Sequence, residues 1–313
     1  SALSPMPMGM AQDSSGNIYF SEHTTNRIRM IDTTGEIHTI LATSGQCQDN
    51  PLCLEVDLLV PTTLAFDSSD NLYVSDAGHN LIKRITQPGT LAASMQTLAG
   101  TGESCNSNPA AVSVDLCEAD HSAATETKLS YPQGLVLDSS GNLFIADTLS
   151  YRIRYVDSSG KLHTLVGSGL KCDSTGAAAL SGDLSQAPQE ACLNAPRALA
   201  LYEKDNITTL AIADTWSNRV LKLTITDIAA CDSADNCPLT SIAGNGRFDP
   251  EELTKDGIYA RDAQLGFPSG LAFDAEGNLF ISSYFADRIY KVEDVAGTTN
   301  PLISTYAGEA EHG

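Results

Sequence analysis

The feature that most constrains this chain is a segment that recurs along it. One copy, residues 132–169, reads PQGLVLDSSGNLFIADTLSYRIRYVDSSGKLHTLVGSG. It contains four apolar runs of ordinary strand length, GLVLD, NLFIAD, RIRYVD and LHTLVG, and the Asp, Ser and Gly residues between them are typical of tight turns. None of the runs has the helical spacing of apolar residues. The segment predicts a four-stranded antiparallel meander, which is too small to bury both of its faces alone.

Repetition solves this burial problem. Further copies begin at Pro7, Pro61, Pro196 and Pro268, and four-stranded units that repeat in this way are typical of the blades of a β-propeller. We therefore predict an all-β fold, a β-propeller of four-stranded antiparallel blades, with five blades visible and a sixth only if it lies outside this segment. The prediction is a single domain over residues 1–313, with disulfide-stapled insertions between or within the blades. The five blades are expected at approximately residues 7–44, 61–102, 132–169, 196–246 and 268–308.

The repeated pattern reads P-x-G-[LM]-A-x-D-x-x-G-N-[LI]-[YF]-[IVF]-[AS]-[DE]-x-x-x-N-R-[IV]. It resembles the NHL repeat, in the form that is common in bacterial secreted proteins. The resemblance implies a β-propeller, usually six-bladed in NHL proteins. It implies less about function, because NHL propellers serve many unrelated tasks.

Charge argues against one class of partner. The chain carries 18 Lys and Arg residues against 39 Asp and Glu residues, a formal net charge of −21. A phosphate backbone would be repelled, so we predict no nucleic-acid partner, although the NHL family includes RNA-binding members. No apolar run approaches the ~20 residues of a membrane-spanning helix. The acidity would also suit a protein that binds cations; we predict no cofactor, with calcium as the alternative left open.

Cysteine placement indicates the compartment. The eight cysteines form four pairs that are close in sequence, each in its own insertion: Cys47 with Cys53, Cys105 with Cys117, Cys172 with Cys192, and Cys231 with Cys237. Sequence alone does not determine connectivity, but local disulfides explain this placement better than zinc ligation, for which no suitable cluster is present. Disulfides predict a secreted, cell-surface or periplasmic protein. The chain starts at Ser1 without a signal sequence, so we expect a processed protein or a piece of a larger one.

Two sets of repeated polar residues are assigned to structure. The first hairpins carry Asp and Asn at positions that favour turn chemistry over calcium binding: Asp13, Asp67, Asp138 and Asp274 with Asn17, Asn71, Asn142 and Asn278. An acid also ends the second strand and an arginine begins the third, so we expect charge-assisted pairs across this connection. The acids are Glu22, Asp76, Asp147 and Asp214, and the arginines are Arg27, Arg152, Arg219 and Arg288, with Leu81 and Ser283 as exceptions.

Breaks in the repeat are where a propeller can specialise, because a unique ligand cannot use five equivalent positions. The connections between second and third strands carry Tyr151, Trp216, Tyr284 and Phe285. Corresponding loops gather at one end of a propeller, so we predict that these four residues form an aromatic binding surface. The alternative is ordinary packing between adjacent blades.

We predict no catalytic residue and no metal ligand. A related propeller lyase, which completes peptide amidation, binds zinc through histidines in its channel. Here five of the six histidines, weighed as zinc ligands, do not converge on one site: they are His23, His38, His79, His121 and His163. The inner strands offer little chemistry, and no nucleophile elbow or phosphate loop is present.

The sequence therefore favours a secreted or periplasmic, non-catalytic module that binds protein or carbohydrate through loops held on a rigid scaffold. Two alternatives stay open. One is a metal-dependent hydrolase or lyase with its site in the propeller channel. The other is a self-assembling component of a cell-surface structure, or attachment to a larger chain. Bound metal would favour the first alternative, and a large apolar patch would favour the second.

Overall fold

A computed structural model describes residues 6–47, 50–105, 120–172, 187–231, 235–249, 254–297 and 300–308. Within these ranges the regular structure consists of five β-sheets and single turns of 3₁₀ helix, with no α-helix. The fold is a five-bladed β-propeller, as predicted. No helix in these ranges has the length and apolar character that crossing a membrane requires.

The strands follow the predicted repeat. Blade one contains β1 (Pro7–Gln12), β2 (Ile18–Glu22), β3 (Arg27–Ile31), β4 (Ile37–Ala42) and β5 (Leu54–Glu55). Blade two contains β6 (Pro61–Phe66), β7 (Leu72–Asp76), β8 (Leu81–Thr86) and β9 (Ser94–Ala99). Blade three contains β10 (Ser122–Ala123), β11 (Pro132–Leu137), β12 (Leu143–Asp147), β13 (Arg152–Val156) and β14 (Lys161–Val166). Blade four contains β15 (Pro196–Lys204), β16 (Ile207–Asp214), β17 (Arg219–Ile225) and β18 (Leu239–Ala243). Blade five contains β19 (Ile258–Tyr259), β20 (Pro268–Phe273), β21 (Leu279–Ser283), β22 (Arg288–Val292) and β23 (Leu302–Ala307).

Three blades carry a short fifth strand that the repeat does not predict. β5 pairs in parallel with β4, whereas β10 and β19 pair antiparallel with the outer strands β14 and β23. All three strands come from segments between the repeats. These segments are therefore anchored to the outer strand of a sheet instead of running only as loops.

The first hairpin of blade three shows what the repeated Asp and Asn residues do. Asp138 Oδ1 accepts from the backbone N–H of Asn142 at 2.8 Å, and the Asn142 amide donates to Asp138 Oδ2 at 2.7 Å. The same two bonds form at Asp67 and at Asp274. Hydrogen bonds from Asn278 hold the pKa of Asp274 below its usual value. These residues close the turn, as predicted.

A second repeated motif holds the two residues that precede a blade's first proline. The side chain that ends the second strand accepts from the backbone N–H two residues before that proline. The bonds run from Leu59 to Asp76 (2.7 Å), Ser130 to Asp147 (2.6 Å), Asn194 to Asp214 (2.6 Å) and Gly266 to Ser283 (3.1 Å). Ser283 therefore replaces the acid without loss of this bond.

The residue directly before the proline is held by an asparagine of the preceding blade. Its backbone N–H donates to the asparagine Oδ1, in the pairs Val60 with Asn26 (2.8 Å), Tyr131 with Asn80 (2.8 Å) and Phe267 with Asn218 (3.0 Å). Each of these asparagines has a left-handed backbone, with φ between 48° and 56°, and asparagine tolerates that conformation better than most residues. This is the physical role of the Asn in the N-R step of the repeat.

Contacts divide the chain into two compact units, residues 1–150 with 155–163 and residues 151–154 with 164–313. The first unit contains apolar cores around Leu58 and around Leu129, and the second contains a core around Leu265. Each of these leucines lies three residues before the first proline of a blade and is at most 1% exposed. The segments between blades therefore supply core side chains as well as connections.

Disulfides join three of the four predicted cysteine pairs: Cys47 with Cys53, Cys172 with Cys192 and Cys231 with Cys237. Their Cα–Cα distances lie between 5.0 and 5.4 Å, the ordinary range for a disulfide. The fourth predicted pair includes Cys117, which lies outside the described residues.

Candidate binding surface

Three of the four predicted aromatic residues lie on neighbouring connections of the second unit. Trp216 lies on the 3₁₀ turn Thr215–Ser217 that follows β16, and Tyr284 and Phe285 follow β21 directly. Their exposed fractions are 50% for Trp216, 68% for Tyr284 and 50% for Phe285. Large aromatic side chains normally bury most of their area, so this degree of exposure at adjacent positions is unusual.

Two further rings connect these residues into a continuous row. Phe267 lies between Trp216 and Phe285, with ring centroids 5.3 Å and 4.7 Å away. Phe285 in turn contacts Tyr284 at 5.2 Å and Phe248 at 6.0 Å. We call Trp216, Phe267, Phe285, Tyr284 and Phe248 the aromatic row. Phe248 and Phe267 were not among the predicted site residues.

Backbone hydrogen bonds hold the row in place. The N–H groups of Tyr284 and Phe285 donate to the carbonyl oxygens of Phe267 (3.1 Å) and Gly266 (3.0 Å). A Cβ atom at Gly266 would lie 2.4 Å from the Phe248 ring, so only glycine allows this ring to pack so close to the backbone. The rings are therefore presented in a fixed arrangement, which lowers the entropy cost of binding.

Tyr151 does not join this row. It is half-buried, and within the described residues it makes no ring contact with the other aromatic side chains. Its backbone is left-handed, with a φ of 56°, because it occupies the position that asparagine holds in blades one, two and four. A cation also lies beside the row, since Lys171 Nζ is 5.9 Å from the centroid of the Trp216 ring.

The predicted acid–arginine pair forms in blade four, where Arg219 Nε donates to Asp214 Oδ2 at 2.8 Å and both side chains are buried. Blade two uses Lys83 instead, 2.6 Å from Asp76. In blade one the expected partner is wrong, because Glu22 contacts Arg29 (3.4 Å) and not Arg27.

One group among the described residues brings metal-ligating atoms together: Asp32, Glu36 and His38, with ligand atoms within 4.8 Å of one another. His38 Nε2 lies 2.9 Å from Asp32 Oδ2, and the same contact recurs in blade three between His163 and Asp157 at 2.8 Å. Blade three has Lys161 where blade one has Glu36. Since a lysine is accepted at this position, the arrangement is explained as hairpin chemistry.

A cavity of about 440 Å³ lies beside Tyr284, lined by residues that include Ser282, Asp287, Arg288 and Gly308. In blades two, three and four, the glycine equivalent to Gly308 donates to the segment that leads to the next blade. These bonds run from Gly100 to Ala124 O, Gly167 to Pro188 O and Gly244 to Ala260 O. The described part of blade five has no such segment over Gly308. This cavity does not by itself indicate a ligand.

Comparisons with known proteins give the family. A family model described as the teneurin NHL domain matches residues 62–243. Teneurin-m of Drosophila melanogaster is 26% identical over 309 residues, which cover 98% of this chain and 10% of the relative. Teneurin-3 of Mus musculus is 27% identical over 317 residues, covering 96% of this chain and 10% of the relative. The chain thus spans about a tenth of the length of the curated relatives it matches.

Solved structures agree on the fold. A gluconolactonase from Xanthomonas campestris has a TM-score of 0.58 and 13% identity, covering 96% of this chain and 76% of that chain. A chain of the nidogen/laminin complex has a TM-score of 0.57 and 14% identity, covering 97% and 81%. At such identities the similarity shows the fold alone. The sequence relatives are animal teneurins, so the expected resemblance to bacterial secreted proteins is corrected, and the chain belongs to the teneurin NHL domain family.

Proposed function

We propose that this domain is an extracellular, non-catalytic binding module that contacts a protein partner through the aromatic row. The observation that carries the proposal is the row itself: five rings in contact, three of them at least half exposed, on loops fixed by backbone hydrogen bonds. Exposed aromatic clusters of this kind are typical of the centres of protein interfaces.

The orientation of the rings favours a protein over a carbohydrate. Neighbouring ring planes meet at 53° (Trp216 and Phe267), 74° (Phe267 and Phe285) and 73° (Phe285 and Tyr284). A sugar stacks on a flat ring face, whereas this surface alternates ring faces with ring edges. Side chains of a protein can fill such an uneven surface. Carbohydrate therefore ranks second.

The disulfides and the family support an extracellular location. Disulfides form and persist in oxidising compartments, and the relatives are teneurins of which this chain spans a tenth. We place the domain at the cell surface, as one part of a longer chain. The formal charge of −21 makes a nucleic-acid partner unfavourable there.

The proposal is tested with fluorescent tetramers of the domain on a panel of cell lines and on a glycan array. Burying the exposed half of Trp216 would be worth roughly 3 kcal/mol, from about 125 Å² at about 25 cal/mol per Å². Trp216→Ala and Tyr284→Ala should therefore reduce tetramer binding to cells by about tenfold or more. The matched control is Tyr306→Ala, which removes another ring of the second unit that is 64% exposed and lies outside the row.

Equal cell binding by wild type, Trp216→Ala and Tyr306→Ala would refute the proposal. Binding that is confined to the glycan array and depends on Trp216 would reassign the row to carbohydrate. Each variant is checked by its thermal melt, because a folded variant is needed for either conclusion.

A further inference from the structure

A second cavity, of about 430 Å³, lies in the first unit beside the disulfide loop of blade one. β3 and β4 form one side of it, and the loop that holds the Cys47–Cys53 disulfide forms the other. The side chains that matter below are Arg27, Arg29, Gln46 and Asn50, all of which line the cavity. Arg27 and Arg29 are two residues apart on one strand, so their side chains share a face of the sheet.

Arg27 differs from the arginines at the same position of other blades. Those arginines are bonded to their own chain: Arg219 to Asp214 (2.8 Å) and to Cys192 O (3.0 Å), Arg152 to Ser168 O (3.3 Å), and Arg288 to Thr254 O (3.4 Å). In blade one, Arg27 donates only from Nε, to Gln46 Oε1 at 2.9 Å. Within the described ranges, its two Nη atoms have no hydrogen-bond acceptor.

The acid that would pair with Arg27 is already bonded. Glu22 accepts from Thr25 Oγ1 at 2.6 Å and from Arg29 Nη1 at 3.4 Å. Glu55, which follows the disulfide loop in sequence, accepts from the backbone N–H of Gly45 (3.0 Å) and from the hydroxyl of Ser44 (3.1 Å). Neither acid hydrogen-bonds to Arg27, which therefore keeps its charge available in the cavity.

Arg29 supplies a second donor that lacks a partner. Its Nε atom is buried and has no hydrogen-bond acceptor within the described residues. Buried donors without a partner are uncommon in folded proteins, and each one calls for an explanation. Because this atom has almost no accessible area, an acceptor in the cavity would bind the free Nη atoms of Arg27 and be attracted by the charge of the Arg29 guanidinium, which also lines the cavity.

We propose that this cavity binds an oxyanion, a carboxylate or sulfate group, held by Arg27 and Arg29. The planar guanidinium fork matches the geometry of such groups and can bind two oxygens at once. Gln46 orients Arg27 through its Nε, and Asn50 fixes the loop against β4 by donating to Thr39 O at 2.7 Å. The cavity is larger than a bare inorganic ion, which suits an oxyanion carried on a small molecule such as an acidic monosaccharide.

The test is an NMR titration of the intact domain at constant ionic strength. Sodium sulfate, sodium glucuronate and neutral glucose are added separately, while the Arg27 Nε–H and the Gln46 side-chain amide signals are followed. We expect saturable shifts with sulfate, glucuronate or both, and none with glucose. Tighter binding of glucuronate would identify an acidic sugar as the source of the group, and binding of sulfate alone would identify a free ion.

Variants separate the site from general electrostatics. Arg27→Gln should weaken anion binding by about tenfold or more, whereas Arg247→Gln removes the same charge from an exposed position and should leave binding within about twofold. Equal losses in both variants, or no shift that depends on Arg27, would overturn the proposal. Asp49 lies in the loop but outside the described residues, so Asp49→Asn is included. Binding that appears only in Asp49→Asn would show that the chain's own carboxylate occupies the cavity, and would also overturn the proposal.

Discussion

Replacing Asp214 with serine tests how the buried acid–arginine pair of blade four contributes to stability. Asp214 is fully buried, Arg219 is 1% exposed, and Arg219 Nε lies 2.8 Å from Asp214 Oδ2. Serine should keep the hydrogen bond from Asn194 N–H, because Ser283 accepts the equivalent bond from Gly266 in blade five. The cost of Asp214→Ser is therefore mainly that of leaving Arg219 buried without a counter-charge.

The magnitude follows from the burial of both partners. Removing one member of a buried ion pair typically costs about 3–5 kcal/mol, which agrees with roughly 4 kcal/mol for two charges about 4 Å apart at an effective dielectric constant near 20. Arg219→Leu should cost a similar amount at neutral pH, because Asp214 is then buried without a partner. The double variant Asp214→Ser/Arg219→Leu should cost at least about 2 kcal/mol less than the sum of the two single costs, because no buried charge is left.

Urea denaturation followed by Trp216 fluorescence measures these free energies, since Trp216 is the only tryptophan and lies two residues from Asp214. Burial raises the pKa of Asp214, against the opposing effect of Arg219. In Arg219→Leu this opposing effect is absent, so the pKa of Asp214 is higher in the folded state than in the unfolded state. As the pH falls, the folded state therefore takes up its proton before the unfolded state does. Stability of this variant relative to wild type should therefore recover as the pH falls from 7 towards 5. The reasoning would be refuted if each single variant cost less than about 1 kcal/mol and the cost of the double variant equalled their sum.

Three further predictions concern the scaffold. Leu129→Ala should lower the free energy of unfolding by about 2–5 kcal/mol, because it leaves a cavity at a fully buried position. The control Leu91→Ala, at an 84% exposed site, should change the free energy of unfolding by less than about 0.5 kcal/mol in the same urea assay. Asn80→Ala should cost about 1–3 kcal/mol, because Tyr131 N–H loses its acceptor and alanine must adopt a φ near 56°; an unchanged unfolding midpoint would contradict the proposed role of the asparagine. Non-reducing peptide mapping should link Cys105 to Cys117, and peptides that join cysteines of different insertions would contradict local pairing.

The aromatic row was predictable from the sequence only in part. The repeat places Trp216, Tyr284 and Phe285 in equivalent connections, so their proximity is predictable from the period alone. Phe267 and Phe248 lie outside those connections, in the segment between blades four and five. Their place in the row therefore depends on the path of that segment. Phe267 had one usable signal, its position directly before Pro268, where the backbone N–H before blades two, three and five is bonded to an asparagine of the preceding blade. Tyr151 shares the pattern but occupies an asparagine position, and makes no ring contact with the row within the described residues.

The repeated polar residues also divide into those with a local role and those with a role that depends on tertiary structure. The hairpin role of Asp138 and Asn142 is local, because the bonds between them span four residues and Asp138 also accepts from Ser140 N–H two residues away. The acid that ends each second strand was expected to meet an arginine, and this occurs at Asp214. Its shared role is to accept a backbone N–H from the chain ahead of the proline, up to 20 residues away in sequence. That role also explains why Ser283 is tolerated, which charge pairing does not.

The sequence by itself predicted the strand pattern, the number of blades in this segment, the turn chemistry and the three local disulfides that the structure shows, because each depends on residues close in the chain or on the period of the repeat. Tertiary structure decided the contacts between distant segments: the two-residue strands β5, β10 and β19, the junction between Phe267 and Trp216, and the bond that takes Arg27 to Gln46 instead of Glu22. Such contacts form only when separate segments are brought together by the folding of whole blades, and no local propensity encodes them. Both proposed binding sites depend on contacts of this second kind.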